Sequence, residues 1–325
     1  GFAAALSEDV PATTINKMCG SGMKTTMMGY DQLALGQGQV MVTGGMESMT
    51  QAPYLLPKMR GGARIGHAQV QDSMFLDGLE DAYDKGRLMG TFAEDCAMHF
   101  QFSRAAQDAY ALRSQQRAAA AWEAEKFKDH LVGITVPQGK GAFLNFATDE
   151  GVRPNTTLES LSQLKPINGG VVTAGNASQQ NDAAAACLVV AEDQLEALGL
   201  TPSAYLVGWA AAGCHPATMG IGPVPAVEKL FKRTGLGFDD MDLVELNEAF
   251  ACQVLAVLKG WHWHDDDRLN VNGSGISLGH PIGATGGRIL ADMLSELHRR
   301  QGRYALETMC IGGGQGIAAI FERAA

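Results

Sequence analysis

The spacing of apolar residues near the start of the chain changes from that of a strand to that of a helix. Residues 11–18 are rich in β-forming side chains and lead into a Gly-Ser-Gly turn at 20–22. Apolar residues then recur at helical spacing, and a second apolar run at 40–42 ends at paired glycines. This order predicts a strand, a helix and a second strand that belong to one parallel sheet.

The middle of the chain, residues 53–175, loses this regularity. Glycines divide it into short segments, and only one long helix is indicated, from Arg104 to about Phe127 behind a capping Ser103. Residues 139–155 have glycine, proline and asparagine and little periodicity, which predicts a long surface loop. We expect the whole stretch to be a large excursion from the sheet.

Alternation of helix and strand returns at residue 183. It predicts helices at 224–234 and near 247–250, strands at 242–246, 305–309 and 317–321, and a glycine turn at 312–314. One further helix has an apolar face formed by Ile289, Leu290, Met293, Leu294 and Leu297. The two ends of the chain therefore carry similar glycine-punctuated strand–helix–strand units, which suggests two related halves.

Composition narrows the class of protein. The 325 residues are 46% apolar and carry a net charge of −10 without any basic run, which argues against nucleic acid or an anionic membrane as partner. The longest uncharged apolar stretch, residues 183–191, is too short to span a membrane, and residues 1–15 lack the features of a signal peptide. We therefore expect a cytoplasmic protein of about two domains.

The six cysteines show no CxxC pair and no regular spacing, which disfavours disulfides and zinc: Cys19, Cys96, Cys187, Cys214, Cys252 and Cys310. Cys19 ends the first predicted strand and precedes a helix, a position where free backbone N–H groups stabilise a thiolate. It is either a nucleophile or a small buried core residue. A sequence with two histidines and three aspartates, residues 262–267, is better explained as a polar loop than as a metal site.

Three further residues could take part in chemistry. His280 lies between glycines at a turn, where it could serve as base for a thiol or be purely structural. Cys310 precedes a glycine-rich turn whose N–H groups could bind an anion, and it could equally be a core cysteine. Asn247 precedes a predicted helix, and its spacing alone favours an N-cap.

Taken together, five blocks of the sequence resemble the thiolase family, and in particular its acetyl-CoA acetyltransferases. They are residues 16–24 (NKMCGSGMK), 44–49, 247–251, 273–286 (GSGISLGHPIGATG) and 310–316, in the order found in the family. The resemblance implies an α/β fold with a five-layered α-β-α-β-α core of two pseudo-symmetric halves and an inserted loop domain. The N-terminal half would be residues 1–52 and 176–200, the loop domain over coenzyme A 53–175, and the C-terminal half 201–325. We expect the first strands of the N-terminal half to be missing from this chain.

The resemblance also implies roles for individual residues. Cys19 would accept the acyl group, His280 would activate it, and Cys310 would remove the α-proton of acetyl-CoA. One oxyanion site would consist of His280 with a water held by Asn247, the other of the backbone N–H groups of Cys19 and Gly312. Coenzyme A contacts map to Met89, Ser178 and Phe250, while Leu88 and Gln179 depart from the usual histidine and glycine and leave the substrate length open.

The resemblance thus implies Claisen condensation of two acetyl-CoA to acetoacetyl-CoA and coenzyme A, or the reverse thiolysis, through an acyl-cysteine. The alternatives are a broad-chain 3-ketoacyl-CoA thiolase of fatty-acid β-oxidation and a non-catalytic thiolase-like protein that binds acyl-CoA or lipid. A carrier would not need two reactive thiols, and a ketosynthase would have histidine in place of Cys310. We expect coenzyme A thioesters as substrates, no tightly bound cofactor or metal, and a homodimer or homotetramer.

Overall fold

The computed structural model describes residues 2–324, so residues 1 and 325 at the outer limits of the predicted domains lie outside it. The helices are α1 (Ser21–Ala34), α2 (Met89–Phe100), α3 (Arg104–Glu123), α4 (Leu158–Ser162), α5 (Leu195–Leu198), α6 (Pro223–Thr234), α7 (Ala251–Trp261), α8 (Gly275–Leu278) and α9 (Thr285–Arg299). The strands are β1 (Val40–Glu47), β2 (Tyr54–Leu55), β3 (Gln71–Asp72), β4 (Ile134–Gly139), β5 (Ala142–Phe146), β6 (Ala183–Val190), β7 (Ala204–Gly213), β8 (Leu243–Leu246), β9 (Tyr304–Ile311) and β10 (Gln315–Arg323). The predicted helices at α1, α3, α6 and α9 and the predicted strands at β1, β8, β9 and β10 are confirmed.

A four-stranded sheet in the order β7-β10-β9-β8 forms the centre of the C-terminal half. β10 runs antiparallel to both of its neighbours, and β8 runs parallel to β9. Both faces of β10 are buried because its side chains alternate between two cores: Ala318 and Ile320 pack with α6 and α7, while Ile317 and Ala319 pack with α1 and α9. The sheet is therefore covered by helices on both sides.

The second sheet pairs β1 with β6 in antiparallel orientation. α1 packs against this sheet, and α9 lies between it and the four-stranded sheet. The two helices α1 and α9 thus form a central layer. On the opposite face of the small sheet, Val42 and Leu188 are about 60% exposed (60% and 57%).

Two predictions for the N-terminal part are wrong. β1 has an antiparallel partner, and no parallel partner among residues 2–324. Residues 11–17 have no regular secondary structure, because within the same described range no neighbouring strand offers them a hydrogen-bonding ladder. Sequence periodicity identifies extended segments, whereas strand pairing depends on residues that are distant in the chain.

The excursion at residues 53–175 contains α2, α3, α4 and two small hairpins, β2–β3 and β4–β5. α3 begins as predicted, with Ser103 Oγ accepting a hydrogen bond from Ala106 N at 3.1 Å. The predicted loop at 139–155 is partly wrong, since residue 139 ends β4 and residues 142–146 form β5. Lys140 and Gly141 both have positive φ angles, 50° and 79°, which suit a tight hairpin turn.

Close backbone contacts join α1, β1 and the loop that precedes α9. A Cβ atom on Gly45 would lie 1.9 Å from Gly283 O, and one on Gly286 would lie 2.3 Å from Met23 N. These distances are far below van der Waals contact, so only glycine fits. The packing fixes the segment that carries His280 against the segment that carries Cys19.

We expect Gly45→Ala to lower the free energy of unfolding by about 1–3 kcal/mol or more, because backbone atoms must shift to admit the methyl group. Thermal and denaturant unfolding would measure the change, and activity should fall with it since the displaced loop carries His280. Gly61→Ala is the matched control, because a Cβ at Gly61 meets nothing within 4 Å. Equal stability of the two variants would contradict this interpretation of the packing.

Candidate active site

Cys19 lies in a short 3-10 turn, Met18–Gly20, that leads directly into α1. The hydroxyl of Ser21 accepts a hydrogen bond from Lys17 N at 2.9 Å and donates one to Met18 O at 2.7 Å. Met18 has a φ of 48°, a left-handed conformation that costs a non-glycine residue on the order of 1 kcal/mol. The turn therefore holds the cysteine in a fixed, strained position at the start of a helix.

The Cys19 thiol is protonated at neutral pH. Burial raises its pKa to about 11, and the negative charge of Glu47 adds to the effect. The backbone N–H groups of Gly312 and of Cys19 itself hydrogen-bond the sulfur and act in the opposite direction, although burial outweighs them. The site consequently contains two N–H donors for a developing negative charge, but the thiol still needs a base.

Cys310 lies near the end of β9 and is buried. It packs in an apolar cluster with Met89, Phe92 and Met219. Burial raises the pKa of the Cys310 thiol well above its usual value, and a charge on Cys19 raises it further. The two sulfurs therefore lie within electrostatic reach of each other, although 290 residues separate them in the sequence.

His280 is buried and neutral. Burial lowers the pKa of its imidazole to about 3, with a smaller contribution from the charge of Arg288. Its Nδ1 lies 2.6 Å from Thr285 Oγ1. When Nδ1 donates its proton to that hydroxyl, Nε2 is left as an acceptor, which is the form a general base requires.

Asn247 follows β8 and lies against the imidazole of His280, with its Nδ2 3.4 Å from each ring nitrogen. α7 starts only at Ala251, so the expectation that Asn247 caps this helix is wrong. Its Oδ1 is buried and has no hydrogen-bond partner among residues 2–324. A buried acceptor of this kind can bind a water or a substrate group.

The residues predicted to contact coenzyme A surround the same site. Met89 and Phe250 pack in the apolar cluster of Cys310. Ser178 N donates to Ala249 O at 2.9 Å, and the next residue, Gln179, accepts from His280 N at 3.0 Å. The structure therefore brings Cys19, Cys310, His280, Asn247, Met89, Ser178 and Phe250 to one region.

The two residues that depart from the family pattern lie at the edge of this region. Leu88 is partly buried and precedes the first turn of α2, where it bridges to Glu80. The side-chain amide of Gln179 donates to Gly151 O at 2.8 Å and to Ile276 O at 2.9 Å. The side chain of Gln179 thus links the loop at Gly151 to α8.

Sequence reasoning missed two residues that position the site. Thr285 fixes the imidazole of His280 from five residues further along the chain. Glu248 is buried and accepts hydrogen bonds from Tyr110 Oη at 2.9 Å, Ser114 Oγ at 2.6 Å and Ile276 N at 3.2 Å. The sequence signal for Glu248 was an acidic residue shortly after a predicted strand. Its hydrogen-bond partners could not be predicted, because they come from elements that are distant in the chain.

Other candidates do not form sites. Within the described range 2–324, no group of three or more histidine, cysteine, aspartate or glutamate side chains is arranged to hold a metal ion. His215 Nδ1 accepts from Ala217 N at 3.2 Å and thereby caps a turn. The structure of those same residues contains no helix that is long and apolar enough to cross a membrane.

Comparison with known proteins gives consistent matches over the whole chain. Residues 1–193 match the family model of the thiolase N-terminal domain, and residues 200–323 match that of the thiolase C-terminal domain. The acetyl-CoA acetyltransferase of Thiocystis violacea is 46% identical over 322 residues, which cover 98% of this chain and 81% of the relative.

Solved structures agree with these matches. Human mitochondrial 3-ketoacyl-CoA thiolase superposes with a TM-score of 0.95 at 43% identity, over 99% of this chain and 82% of that one. A structure of the same human enzyme in complex with CoA gives 0.93 at 42% identity, over 100% and 81%. The α/β fold predicted from the sequence is confirmed by these superpositions.

Proposed function

Because this chain belongs to the thiolase family, we propose that it transfers acetyl groups between coenzyme A thioesters with Cys19 as the nucleophile. The observation that carries the proposal is that the partly buried thiol of Cys19 lies within electrostatic reach of the buried thiol of Cys310, in a chain that also contains a buried, neutral His280. An acyl carrier would need neither the second thiol nor a base. Relatives named acetyl-CoA acetyltransferase support acetyl-CoA as the substrate.

Acylation begins with proton transfer from Cys19 to the neutral imidazole of His280. The thiolate attacks the thioester carbonyl carbon, and the backbone N–H groups of Cys19 and Gly312 stabilise the resulting oxyanion. The bond to coenzyme A then breaks, and its sulfur takes the proton from His280. An acetyl-cysteine remains, and one coenzyme A is released.

Condensation uses the second thiol. Cys310 first gives its proton to the neutral His280, and the resulting thiolate removes a proton from the α-carbon of a second acetyl-CoA. The raised pKa of Cys310 makes this thiolate a strong base. His280 and a water on Asn247 Oδ1 stabilise the enolate oxygen. The carbanion attacks the acetyl-cysteine, a carbon–carbon bond forms, and Cys19 leaves as thiolate. His280 then gives its proton to the Cys19 thiolate while Cys310 keeps the proton taken from the α-carbon, which restores the starting enzyme.

The pKa values of His280 and Cys19 predict that the rate of acylation depends little on pH. The step requires neutral His280, which is lost only as the pH falls towards about 3, and Cys19 ionises without the help of a base only as the pH approaches about 11. The rate of the first coenzyme A release should therefore be nearly constant between about pH 5 and 9. Rapid-quench measurement of that release tests the prediction, and an acid limb near the ordinary histidine pKa would contradict it.

The buried cluster of Met89, Phe92 and Met219 next to Cys310 supports a short acyl group. Purified chain should cleave acetoacetyl-CoA in the presence of coenzyme A and yield two acetyl-CoA per turnover. A 3-ketoacyl-CoA with a long chain, used under the same conditions, is the matched comparison. Faster cleavage of the long chain would favour the broad-chain alternative, and no cleavage of either would reject catalysis.

We further propose that the chain works as a homodimer or homotetramer in the cytoplasm. The exposed apolar residues on the outer face of β1–β6, including Val42 and Leu188, support association. The six cysteines are all free, which fits a reducing compartment. Light scattering coupled to gel filtration would measure the assembly.

A further inference from the structure

Two cysteines that the proposed reaction does not use lie side by side between α2 and α7. Cys252 is fully buried, and its Sγ lies 3.3 Å from Ala93 O, on α2. Cys96 is partly exposed, and its Sγ lies 3.8 Å from Cys252 O, on α7. The two thiols are also close enough for each to shift the pKa of the other, which is lowered for Cys96 and raised for Cys252. Each thiol therefore faces the helix that carries the other.

The same two helices form walls of the acyl-CoA region. α2 begins at Met89, and α7 begins immediately after Phe250. Phe250 packs against the cluster that contains Cys310 and also against the cluster that contains Cys252. A change in the separation of α2 and α7 at the cysteine pair is consequently transmitted to the site through Phe250.

We propose that Cys96 and Cys252 form a reversible disulfide that draws α2 towards α7 and narrows the acyl-CoA pocket. A disulfide places its sulfurs about 2.05 Å apart, closer than two non-bonded thiols, and we expect α2 and α7 to move together as the two cysteines approach. The effect on the pocket rests on the proposed function, whereas the bond itself does not. Intracellular disulfides of this kind are usually transient and redox-sensing.

The chemistry assigns a different part to each thiol. Cys96 is partly exposed, and the neighbouring Cys252 thiol lowers its pKa, which makes it the attacking thiol. With a low-molecular-weight disulfide such as oxidised glutathione, the Cys96 thiolate forms a mixed disulfide and releases one glutathione. Cys252 then attacks Cys96 Sγ and releases the second. The protein loses two protons and two electrons, and the oxidant gains them as two thiols.

The test incubates the full-length protein with oxidised glutathione and maps its peptides without reduction. We expect a cross-linked peptide that joins Cys96 to Cys252, present in the wild type and in Cys187→Ser and absent in Cys96→Ser. Cys187 is the matched control because it is another partly exposed cysteine. It lies on β6, away from α2 and α7, and its thiol hydrogen-bonds with the hydroxyl of Thr43. Cys96 found only as a stable mixed disulfide with glutathione would overturn the proposal.

Activity is measured on the same samples before and after dithiothreitol. We expect the wild type and Cys187→Ser to lose several-fold more thiolysis activity than Cys96→Ser, and to recover it on reduction. A cross-link that forms while all three proteins lose activity equally would overturn the link to the pocket. If the reduced wild type has no thiolysis activity, the proposed function fails, but the cross-linked peptide still decides whether the disulfide forms.

Discussion

Replacing Cys19 by alanine is expected to lower the rate of acetoacetyl-CoA thiolysis by at least about 10³-fold. Cys310 is not expected to take over the attack, because it is buried within the apolar cluster of Met89, Phe92 and Met219 and burial raises its pKa well above the usual value. The N–H groups of Gly312 and residue 19 would remain in place, so substrate binding should change little. A lower kcat with a nearly unchanged KM is the expected pattern.

The matched control for this variant is Cys187→Ala, since Cys187 lies on β6 and hydrogen-bonds Thr43 Oγ1 at 3.1 Å. Its activity should stay close to that of the wild type, provided that its stability is similar. Steady-state thiolysis with purified proteins, together with thermal unfolding, makes the comparison. A Cys19→Ala protein that retains a tenth or more of the wild-type rate would remove Cys19 from the nucleophile's role.

Replacing Cys310 by alanine is expected to separate the two halves of the reaction. Acetylation of Cys19 depends on His280 and the two N–H donors, so coenzyme A release from a first acetyl-CoA should continue at a similar rate. Formation of the carbon–carbon bond requires removal of the α-proton, and the alanine variant has no group in that place to accept it. Condensation should therefore fall by at least about 10³-fold.

The two rates are measured on one preparation, by rapid quench for the first coenzyme A release and by product analysis for acetoacetyl-CoA. A parallel loss of both steps would mean that Cys310 supports the site structurally, because its side chain packs with Met89 and Phe92. Cys310→Ser distinguishes these cases, since serine nearly preserves the volume but is a much poorer base than a thiolate.

The sequence predicted the elements that carry a strong local signal. α9 was predicted from its apolar face, and α3 from Ser103, whose hydroxyl makes the expected cap. The antiparallel pairing of β1 with β6 was not predicted, because residues 40–47 and 183–190 are joined only through the tertiary structure. Local patterns thus specify where strands lie, whereas their partners depend on the whole chain.

For the candidate site, too, some features could be predicted from the sequence and others depend on the folded structure. Motif resemblance named Cys19, His280 and Cys310, and the structure places Cys19 and Cys310 together within one region. The sequence could not provide the environment of each group, such as the burial that lowers the pKa of His280 to about 3. The N-cap role that spacing alone favoured for Asn247 is wrong, because α7 starts four residues later, at Ala251.

The central claim is that Cys19 carries the acetyl group between two coenzyme A thioesters. The most direct test is the intact mass of the purified chain before and after brief incubation with acetyl-CoA, followed by mapping of the modified peptide. We predict a single acetyl group on Cys19 that disappears when coenzyme A is added. An unmodified chain, or a stable acetyl group on any residue other than Cys19, would contradict the proposed mechanism.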